Sequence, residues 1–350
     1  MKQAFKRILR IVFSVIIIVI SIWYATKDID FHELKRIILE ANYLWALFSI
    51  PIILLSHWIR ARRWKTMLEP ALKVKSPSTW NLFSAVMIGY AFNCVLPRGG
   101  EFVRPFVYAR REKVSFTSTF ATIIVERVID VITLLLLFAF VFFFLSSQIV
   151  HVIGEIDINK VLTVVGLFLF VVIVSFYPPV FRFLIYKLLK PISNKLYDKV
   201  SLLFDKFLRG FAVIKSPGDY LKLILESIAI WFCYTVPMYL IFYSFSFQND
   251  FNLGFSDALL LIVISGIGVT IAPSPGAIGV YHVLIQNAMV LFYGLAKEEA
   301  LAYATLTHAI NYFIQLIVGG LFFFRENLKG IPIKEEDLID NIQTNNNSNL

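Results

Sequence analysis

The sequence has few charged residues and almost no cysteine. Only 16% of its 350 residues are Asp, Glu, Lys or Arg, whereas about a quarter are charged in a typical soluble domain. Both of its cysteines, Cys94 and Cys233, lie within apolar runs, which argues against a disulfide scaffold and a structural zinc site. Hydrophobic side chains make up 58% of the chain, more than a soluble globule of this size can bury. The composition therefore excludes an ordinary cytosolic enzyme and a disordered protein, and it indicates a polytopic membrane protein.

Acidic residues are also scarce relative to basic ones, with 24 Asp and Glu against 33 Lys and Arg. On a soluble chain this excess would suggest nucleic-acid binding. Here the basic residues lie between apolar runs, as in the cytoplasmic loops of membrane proteins, so we expect no nucleic-acid partner. The positive-inside rule then predicts a multi-pass protein of the cell inner (cytoplasmic) membrane, with the N- and C-termini in the cytoplasm. Most of the Lys and Arg fall in five segments, which we assign to the cytoplasm: 1–10, 60–79, 97–117, 179–222 and 325–350.

Two regions, 80–109 and 257–295, contain only apolar runs that are too short for a full crossing. A full crossing takes about 20 residues, and Pro and Gly interrupt the apolar sequence within each region. Both flanks of region 80–109 are assigned to the cytoplasm and both flanks of region 257–295 to the outside, so each is predicted to be a re-entrant hairpin. The other apolar runs predict about six full transmembrane helices, the first of them a retained N-terminal helix: 11–24, 42–59, 118–146, 161–178, 221–247 and 301–324.

The tips of the two hairpins resemble each other. Leu96–Glu101 and Ala272–Ala277 both contain Pro-x-x-Gly, and each hairpin precedes a long span that carries polar groups. Two similar units that enter from opposite sides form an inverted-topology repeat, and transporters bind substrate where such units meet. The sequence thus predicts one all-α transmembrane domain over 1–325. It also predicts an amphipathic interfacial segment over 179–220, between the halves, and a disordered cytoplasmic tail over 326–350.

Charged side chains cluster on the first hairpin and on the span that follows it. Glu126 and Asp130 are four residues apart and share one helix face, and charges within a membrane are functional candidates. The free N–H groups of a hairpin tip, with two arginines nearby, would bind a phosphate or another anionic head group. Alternatively, the charges only pair and hold the hairpin in place. The predicted head-group site comprises Arg98, Gly99, Gly100, Glu101, Arg104, Glu126, Arg127 and Asp130.

The second tip carries no charge and is predicted to form the uncharged half of the cavity. Its prolines could also simply break the helix, and an intramembrane histidine is often a packing residue. The tip residues are Pro273, Ser274, Pro275, Gly276, Gly279, Tyr281 and His282, and His308 and Asn311 in the next span are candidates for lining the cavity.

Enzyme signatures are absent from the sequence. There is no His-Glu-x-x-His, no Gly-x-Ser-x-Gly and no Walker loop, so we expect no catalytic residue, metal or cofactor, and transport that is passive or ion-coupled. Two other functions stay open. One is an intramembrane transferase that acts on lipid phosphates with Glu126 or Asp130 as base. The other is a non-catalytic partner of a cell-envelope glycosyltransferase.

Three ordered motifs resemble the transmembrane region of lysylphosphatidylglycerol synthase, also described as the flippase-like UPF0104 family. They are Pro97-Arg98-Gly99-Gly100-Glu101-x-x-Arg104, Glu126-Arg127-x-x-Asp130 and Pro273-Ser274-Pro275-Gly276-x-x-Gly279. The resemblance implies a protein that moves a lipid between leaflets. The chain ends soon after its last apolar run, so the resemblance is to a stand-alone member without the soluble aminoacyltransferase domain. It implies a membrane phospholipid or a polyprenyl-phosphate lipid as the substrate, and a cell-envelope biosynthesis enzyme as a possible partner. It implies nothing about oligomeric state.

Overall fold

The computed structural model describes residues 2–72, 77–144, 166, 178–194, 196–198, 200–202, 216–271 and 274–328. Within these ranges the regular structure is α-helical apart from one 3-10 turn, Pro275–Ala277, which confirms the all-α prediction. Most of the predicted span 161–178, part of the segment 179–220, Pro273 and nearly all of the tail lie outside the described residues. The α-helices are α1 Lys2–Thr26, α2 Phe31–Glu40, α3 Tyr43–Leu72, α4 Thr79–Val95, α5 Gly100–Glu112, α6 Phe116–Phe144, α7 Pro178–Leu189, α8 Pro217–Ser244, α9 Phe247–Asp250, α10 Phe255–Ile271, α11 Val280–Tyr293 and α12 Lys297–Leu328.

Four helical segments among the described residues are long and apolar enough to cross a membrane. They are α3, α8, α12 and the segment Pro275–Tyr293, which includes the tip turn before α11. The helices α4 and α10 have 17 residues each and are therefore about 25 Å long, shorter than the roughly 30 Å hydrocarbon core. The structure is thus a bundle of several apolar helices, while the six full spans and the re-entry of the hairpins stay predictions.

The order of helix lengths repeats along the chain. The first unit is the long helix α3, the hairpin α4–α5 and the long helix α6, and the second is α8, the hairpin α10–α11 and α12. The two leading helices α3 and α8 pack against each other, α4 packs on α12, and α10 packs on α6. In each of the last two contacts the first helix of one hairpin packs on the last long helix of the other unit, as a two-fold relation between the units would require. The packing therefore supports the predicted repeat.

Each unit has its own apolar core. The first core surrounds α4, where Leu82 and Met87 are fully buried against Trp64 of α3. The second core surrounds α11, where Ile285 and Met289 are fully buried. Both cores also include residues of the other unit, such as Phe322 of α12 in the first and Ala46 of α3 in the second.

Close contact between the legs of the first hairpin depends on glycine. A Cβ atom on Gly100 would lie 2.0 Å from the carbonyl oxygen of Gly89, so no larger residue fits there without moving α5 away from α4. Asn93 strengthens this contact, because its Oδ1 accepts a hydrogen bond from the Gly100 N–H at 2.8 Å. The first hairpin is consequently a tightly closed pair of helices.

The start of the chain is tied to the last long helix. Asp30 caps α2, with its Oδ1 accepting from the N–H groups of His32 at 2.8 Å and Glu33 at 3.3 Å, as expected for an N-cap. The Asp30 N–H donates to Glu298 Oε1 of α12 at 3.0 Å. The amphipathic helix α2 is thereby fixed beside the beginning of α12.

Candidate functional site

Glu126 of α6 lies at the centre of a buried ion-pair network. Its side chain is 0% exposed and is approached by arginines from three helices. Arg60 Nη1 of α3 lies 2.5 Å from Oε1, Arg104 Nη2 of α5 lies 3.0 Å from Oε2, and Arg127 Nη2 of α6 lies 3.0 Å from Oε1. The pairing of Arg104 with Glu126 joins the first hairpin to the helix that follows it, as the alternative interpretation of these charges expects.

Asp130 lies one helical turn further along α6 and extends the network. Its Oδ2 is 2.8 Å from Arg60 Nη1 and 3.0 Å from Arg127 Nη2, and its Oδ1 accepts a hydrogen bond from Arg63. Arg60 and Arg63 are almost fully buried. The i, i+4 spacing of the two carboxylates therefore matches the i, i+3 spacing of two arginines on the facing helix α3.

Aromatic groups hold two of these arginines in place. The Arg60 Nε donates to the Tyr234 hydroxyl of α8 at 3.2 Å. The guanidinium of Arg104 stacks on the Trp64 ring, with 4.0 Å between its central carbon and the ring centroid. These contacts add to the ion pairs on both arginines, and the network connects α3, α5, α6 and α8.

The network carries more positive than negative charge. Four arginines face only two carboxylates, a formal net charge of +2. Uncompensated charge is costly where water is excluded. A nearby histidine, His57, is buried, and neither of its ring nitrogens has a hydrogen-bond partner among the described residues. The site is therefore electrostatically suited to an anion.

The network forms one wall of a cavity of about 630 Å³ between the two units. Arg60, Arg127 and Asp130 of the network line the cavity together with Arg98, and Arg127 is the most accessible member of the network, with 39% of its side chain exposed. Apolar lining residues come from α6, α8 and α10: Leu134, Trp231, Met238, Ile241, Ile262 and Val269. A cavity lined by both charged and apolar side chains suits an amphiphilic ligand.

Some of the predicted site residues line the cavity, and others are buried behind its surface. Six of them line the cavity: Arg98, Glu101, Arg127, Asp130, Tyr281 and Asn311. Glu126 and Arg104 lie behind this surface, buried and paired with each other. Their position suits the support of cavity-facing arginines rather than direct contact with a ligand.

The first tip does not leave its backbone N–H groups free, contrary to our expectation. The N–H of Gly99 donates to the Leu96 carbonyl, that of Gly100 to Asn93 Oδ1, and that of Glu101 to the Arg98 carbonyl. The start of α5 is therefore satisfied within the hairpin itself. Any anion site here is built from side chains, and Gly99 and Gly100 serve packing.

At the second tip, several predicted residues fix the turn. The Ser274 hydroxyl donates to the Ile278 carbonyl at 3.0 Å, and His308 Nε2 donates to the Gly276 carbonyl at 2.7 Å. Gly276 has φ +57°, a conformation that glycine adopts at no steric cost. This contact of His308 is the one expected of a hydrogen-bonded packing residue, the alternative to a role in lining the cavity.

Three further predicted residues of this tip lie near the same turn. The His282 and His308 rings are 4.8 Å apart. Pro275 begins the 3-10 turn, and a Cβ atom on Gly279 would lie 2.8 Å from Ser21 Cβ of α1. These residues therefore close the second hairpin and attach it to α1.

The functional residues that sequence reasoning missed come mainly from α3. We assigned segment 60–79 to the cytoplasm because it is rich in Lys and Arg, but α3 continues without interruption to Leu72 and buries Arg60 and Arg63. The three-residue spacing of these arginines was the available signal, since it places both on one face of a helix. Tyr234 gave no such signal, because its role depends on the packing of α8 against α3.

In the part of the chain that the structure describes, no group of three His, Cys, Asp or Glu side chains is arranged to hold a metal ion. The polar side chains that line the cavity are arginines, carboxylates, hydroxyls and amides, together with His57 and Cys233. Such a set can bind an anion and orient it.

Comparisons with known proteins agree with this picture of a multi-pass membrane protein. The family model of the lysylphosphatidylglycerol synthase TM region matches residues 11–319. The chain is 24% identical over 340 residues to a UPF0104 membrane protein of Pyrococcus horikoshii, covering 91% of this chain and 97% of that protein. It is also 24% identical over 335 residues to glycosyltransferase AglD of Haloferax volcanii, covering 89% of this chain but only 53% of AglD. No solved structure is significantly similar.

Proposed function

The chain belongs to the lysylphosphatidylglycerol synthase TM region family, and on this premise we propose that it binds an anionic lipid head group and moves it between leaflets. The observation that carries the proposal is the largely buried network of four arginines and two carboxylates beside a cavity with many apolar lining residues. The phosphate of such a lipid would neutralise the excess positive charge, and the hydrocarbon chains of the lipid would contact the apolar lining residues.

Three arginines are placed to hold the phosphate. Arg60, Arg98 and Arg127 all line the cavity, and guanidinium groups bind phosphate through paired, charge-assisted hydrogen bonds. Glu126 and Asp130 would keep Arg60 and Arg127 in position by ion pairing. Arg104 would act through Glu126 rather than on the lipid.

The substrate class that fits is a membrane phospholipid or a polyprenyl-phosphate lipid. Both combine a phosphate with long apolar chains, and the cavity offers a partner for each part. We place the protein in the cell inner (cytoplasmic) membrane with both termini in the cytoplasm, because that arrangement satisfies the positive-inside rule.

Reconstitution of the full chain into phosphatidylcholine vesicles containing labelled phosphatidylglycerol tests the proposal. The measurement is the rate at which label appears in the opposite leaflet. Hydrogen bonds to charged groups contribute about 1.5–3 kcal/mol, so Arg127→Gln should slow translocation by about tenfold or more. Arg36→Ala, in an exposed ion pair of α2, is the matched control and should leave the rate unchanged.

Two results would contradict this assignment. If Arg98→Ala and Glu126→Ala both translocate at the rate of the unmodified chain, the network with Arg98 is not the lipid site. If the purified protein retains no phosphate-bearing lipid by mass spectrometry, the substrate class is wrong.

A second candidate function is that of a non-catalytic partner in a glycosyltransferase pathway. The similarity to glycosyltransferase AglD over nearly the whole of this chain favours it. Such a partner would co-purify with a membrane glycosyltransferase, and substitutions at Arg127 or Glu126 would leave its effect on that enzyme unchanged. A transporter would not co-purify with such an enzyme, and substitutions at Arg127 or Glu126 would impair it.

An intramembrane lipid-phosphate transferase is a third possibility, with weaker support. Glu126 and Asp130, its candidate bases, are each paired with several arginines, and a carboxylate held in this way is a poor proton acceptor. Turnover of a lipid-linked donor by the purified protein would establish it.

A further inference from the structure

The tips of the two hairpins are joined by a hydrogen bond at the edge of the cavity. Arg98 Nη2 of the first tip donates to the carbonyl oxygen of Thr270 at 2.8 Å. Thr270 lies in the last turn of α10, where carbonyl groups lack partners within the helix and carry partial negative charge. Arg98 therefore caps a helix of the other unit.

The same contact region covers Cys94 at the end of α4. Its Sγ lies 4.0 Å from the Tyr312 carbonyl oxygen and 3.9 Å from Gln315 Oε1, both on α12. A Cβ atom on Gly276 of the second tip would lie 3.4 Å from the Cys94 Cα. Since its neighbours here belong to the second unit, Cys94 reports whether the first hairpin and the second unit stay together.

Arg98 is held by a weak acceptor beside a place suited to a stronger one. The Thr270 carbonyl carries only a partial negative charge, whereas a phosphate is fully ionised and can accept two parallel hydrogen bonds from one guanidinium. Arg98 and Thr270 both line the cavity that Arg127 faces. The backbone of Arg98 also has φ +58°, a conformation that costs a non-glycine residue free energy and persists only where surrounding contacts impose it.

We propose that Arg98 is a ligand-released latch, which holds the two tips together when the cavity is empty and exchanges the Thr270 carbonyl for an anionic phosphate when the cavity is filled. Parting of the tips frees every donor of Arg98 for the anion, so the anion binds the parted state more tightly. A ligand shifts a conformational equilibrium only through such a difference in affinity. The latch thus rests on the proposed function and adds the step that links head-group binding to opening between the units.

The guanidinium has five N–H donors, so a different outcome is chemically possible. Arg98 could keep the Thr270 carbonyl and add the phosphate, in which case the anion would hold the tips together more firmly. The two outcomes predict opposite changes at Cys94, so one measurement separates them.

The chain's two cysteines provide the two reporters. Cys233→Ser leaves Cys94 as the only thiol, at the contact between the units, and Cys94→Ser leaves Cys233, which lines the cavity. Each variant of the full chain is labelled in detergent with a membrane-permeant maleimide. The additions are short-chain phosphatidylglycerol, short-chain phosphatidylcholine or inorganic phosphate.

Phosphatidylglycerol should slow the labelling of Cys233, because it fills the cavity, and should speed the labelling of Cys94. Coupling between two sites typically changes an equilibrium about 5- to 150-fold, so we expect the Cys94 rate to rise about fivefold or more. If inorganic phosphate gives both changes, the phosphate alone releases the latch. If only the lipid gives them, the chains are needed to bring the phosphate to Arg98. Either result supports the latch.

A substitution of Arg98 separates the latch from a general loosening of the fold. In the Cys233→Ser chain, Arg98→Ala should raise the Cys94 labelling rate without lipid and remove its response to phosphatidylglycerol. Arg36→Ala in the same chain is the control and should leave both the basal rate and the response unchanged. An unaltered circular dichroism spectrum confirms that each variant is folded.

The two proposals fail in distinguishable ways. If phosphatidylglycerol protects Cys233 while the Cys94 rate stays the same or falls, the latch is wrong and the lipid site stands. If no anionic lipid protects Cys233, the lipid site is wrong and the latch is rejected with it.

Discussion

Among single residues, Glu126 is the one on which the most ionic contacts depend. It is completely buried and lies within 3.0 Å of an arginine nitrogen from each of α3, α5 and α6. Breaking a buried pair by removing one partner costs about 3–5 kcal/mol, because the other charge stays behind. Glu126→Gln should therefore lower the free energy of unfolding in detergent by about that amount.

Glu33→Gln is the matched control for this prediction. Glu33 also pairs with an arginine, Arg36, but on the exposed surface of α2, where ion pairs contribute about 0–1 kcal/mol. Equal destabilisation by Glu126→Gln and Glu33→Gln would show that the network is solvated rather than buried.

The Arg63–Asp130 pair tests whether two members of the network act together. Arg63 is fully buried and donates to Asp130, so Arg63→Met and Asp130→Asn should each destabilise the protein strongly. Residues in one ion-pair network typically show interaction energies of about 0.5–3 kcal/mol. The double variant should consequently lose less free energy of unfolding than the two single variants lose in sum. A loss in the double variant equal to that sum would contradict the pairing.

The sequence was informative wherever one short segment carries the whole signal. The spacing of Glu126 and Asp130 indicated a shared helix face, and their density of charge within an apolar run indicated a function. Arg60 is 66 residues away from Glu126, and its charge resembled that of a cytoplasmic loop. Its burial follows from the packing of α3 on α8, which depends on tertiary contacts that no local pattern contains.

Between the two units, α4 of the first packs closely on α12 of the second. A Cβ atom on Gly319 would lie 2.3 Å from the Met87 carbonyl oxygen, whereas one on the adjacent Gly320 would meet nothing within 4 Å. Overpacking of this kind typically costs about 1–3 kcal/mol, while alanine is intrinsically better than glycine in a helix by about 1 kcal/mol.

Gly319→Ala should therefore destabilise the protein and slow lipid translocation, and Gly320→Ala should be neutral or slightly stabilising. The measurements are the free energy of unfolding and the translocation rate for both variants. If the two substitutions have the same effect, the contact between α4 and α12 is not close in the membrane.

The helices themselves were predictable to different degrees. Pro-x-x-Gly marked both hairpin tips correctly, since proline and glycine interrupt helices for local steric reasons. The end of α3 at Leu72 was not predictable from the apolar run that stops near residue 59, because burial against neighbouring helices lets a helix continue through charged residues. The bond from Arg98 to Thr270 was likewise invisible, since it joins tips 172 residues apart in sequence.

At the scale of the whole molecule, the two units meet at the α3–α8 contact, and the hairpin of each unit packs on a helix of the other. The first hairpin packs on α12 and the second on α6, so the cavity lies where the two units meet. In transporters built from inverted repeats, rocking of one unit against the other gives alternating access to such a site. The ion-pair network belongs mostly to the first unit and the apolar walls mostly to the second, so such a movement would change how the head group and its chains are enclosed.

Membrane topology is the property on which this arrangement depends most. If both hairpins re-enter, the two flanks of each hairpin lie on one side of the membrane, and the two hairpins open to opposite sides. Single cysteines placed at Ser78, Lys113, Gly254 and Ala296, in a chain with Cys94→Ser and Cys233→Ser, test this with a membrane-impermeant maleimide. Positions 78 and 113 should be labelled only from the cytoplasm, because the charge pattern puts their segments there.

Positions 254 and 296 should be labelled only from the outside, because few basic residues flank the second hairpin. Labelling of 78 and 113 from opposite sides would mean that the first hairpin crosses the membrane. Its two short helices would then have to thin the bilayer or be shielded by other protein, since neither reaches about 30 Å. Labelling of all four positions from the same side would remove the inversion between the units, and with it the reason to expect a transport site at their junction.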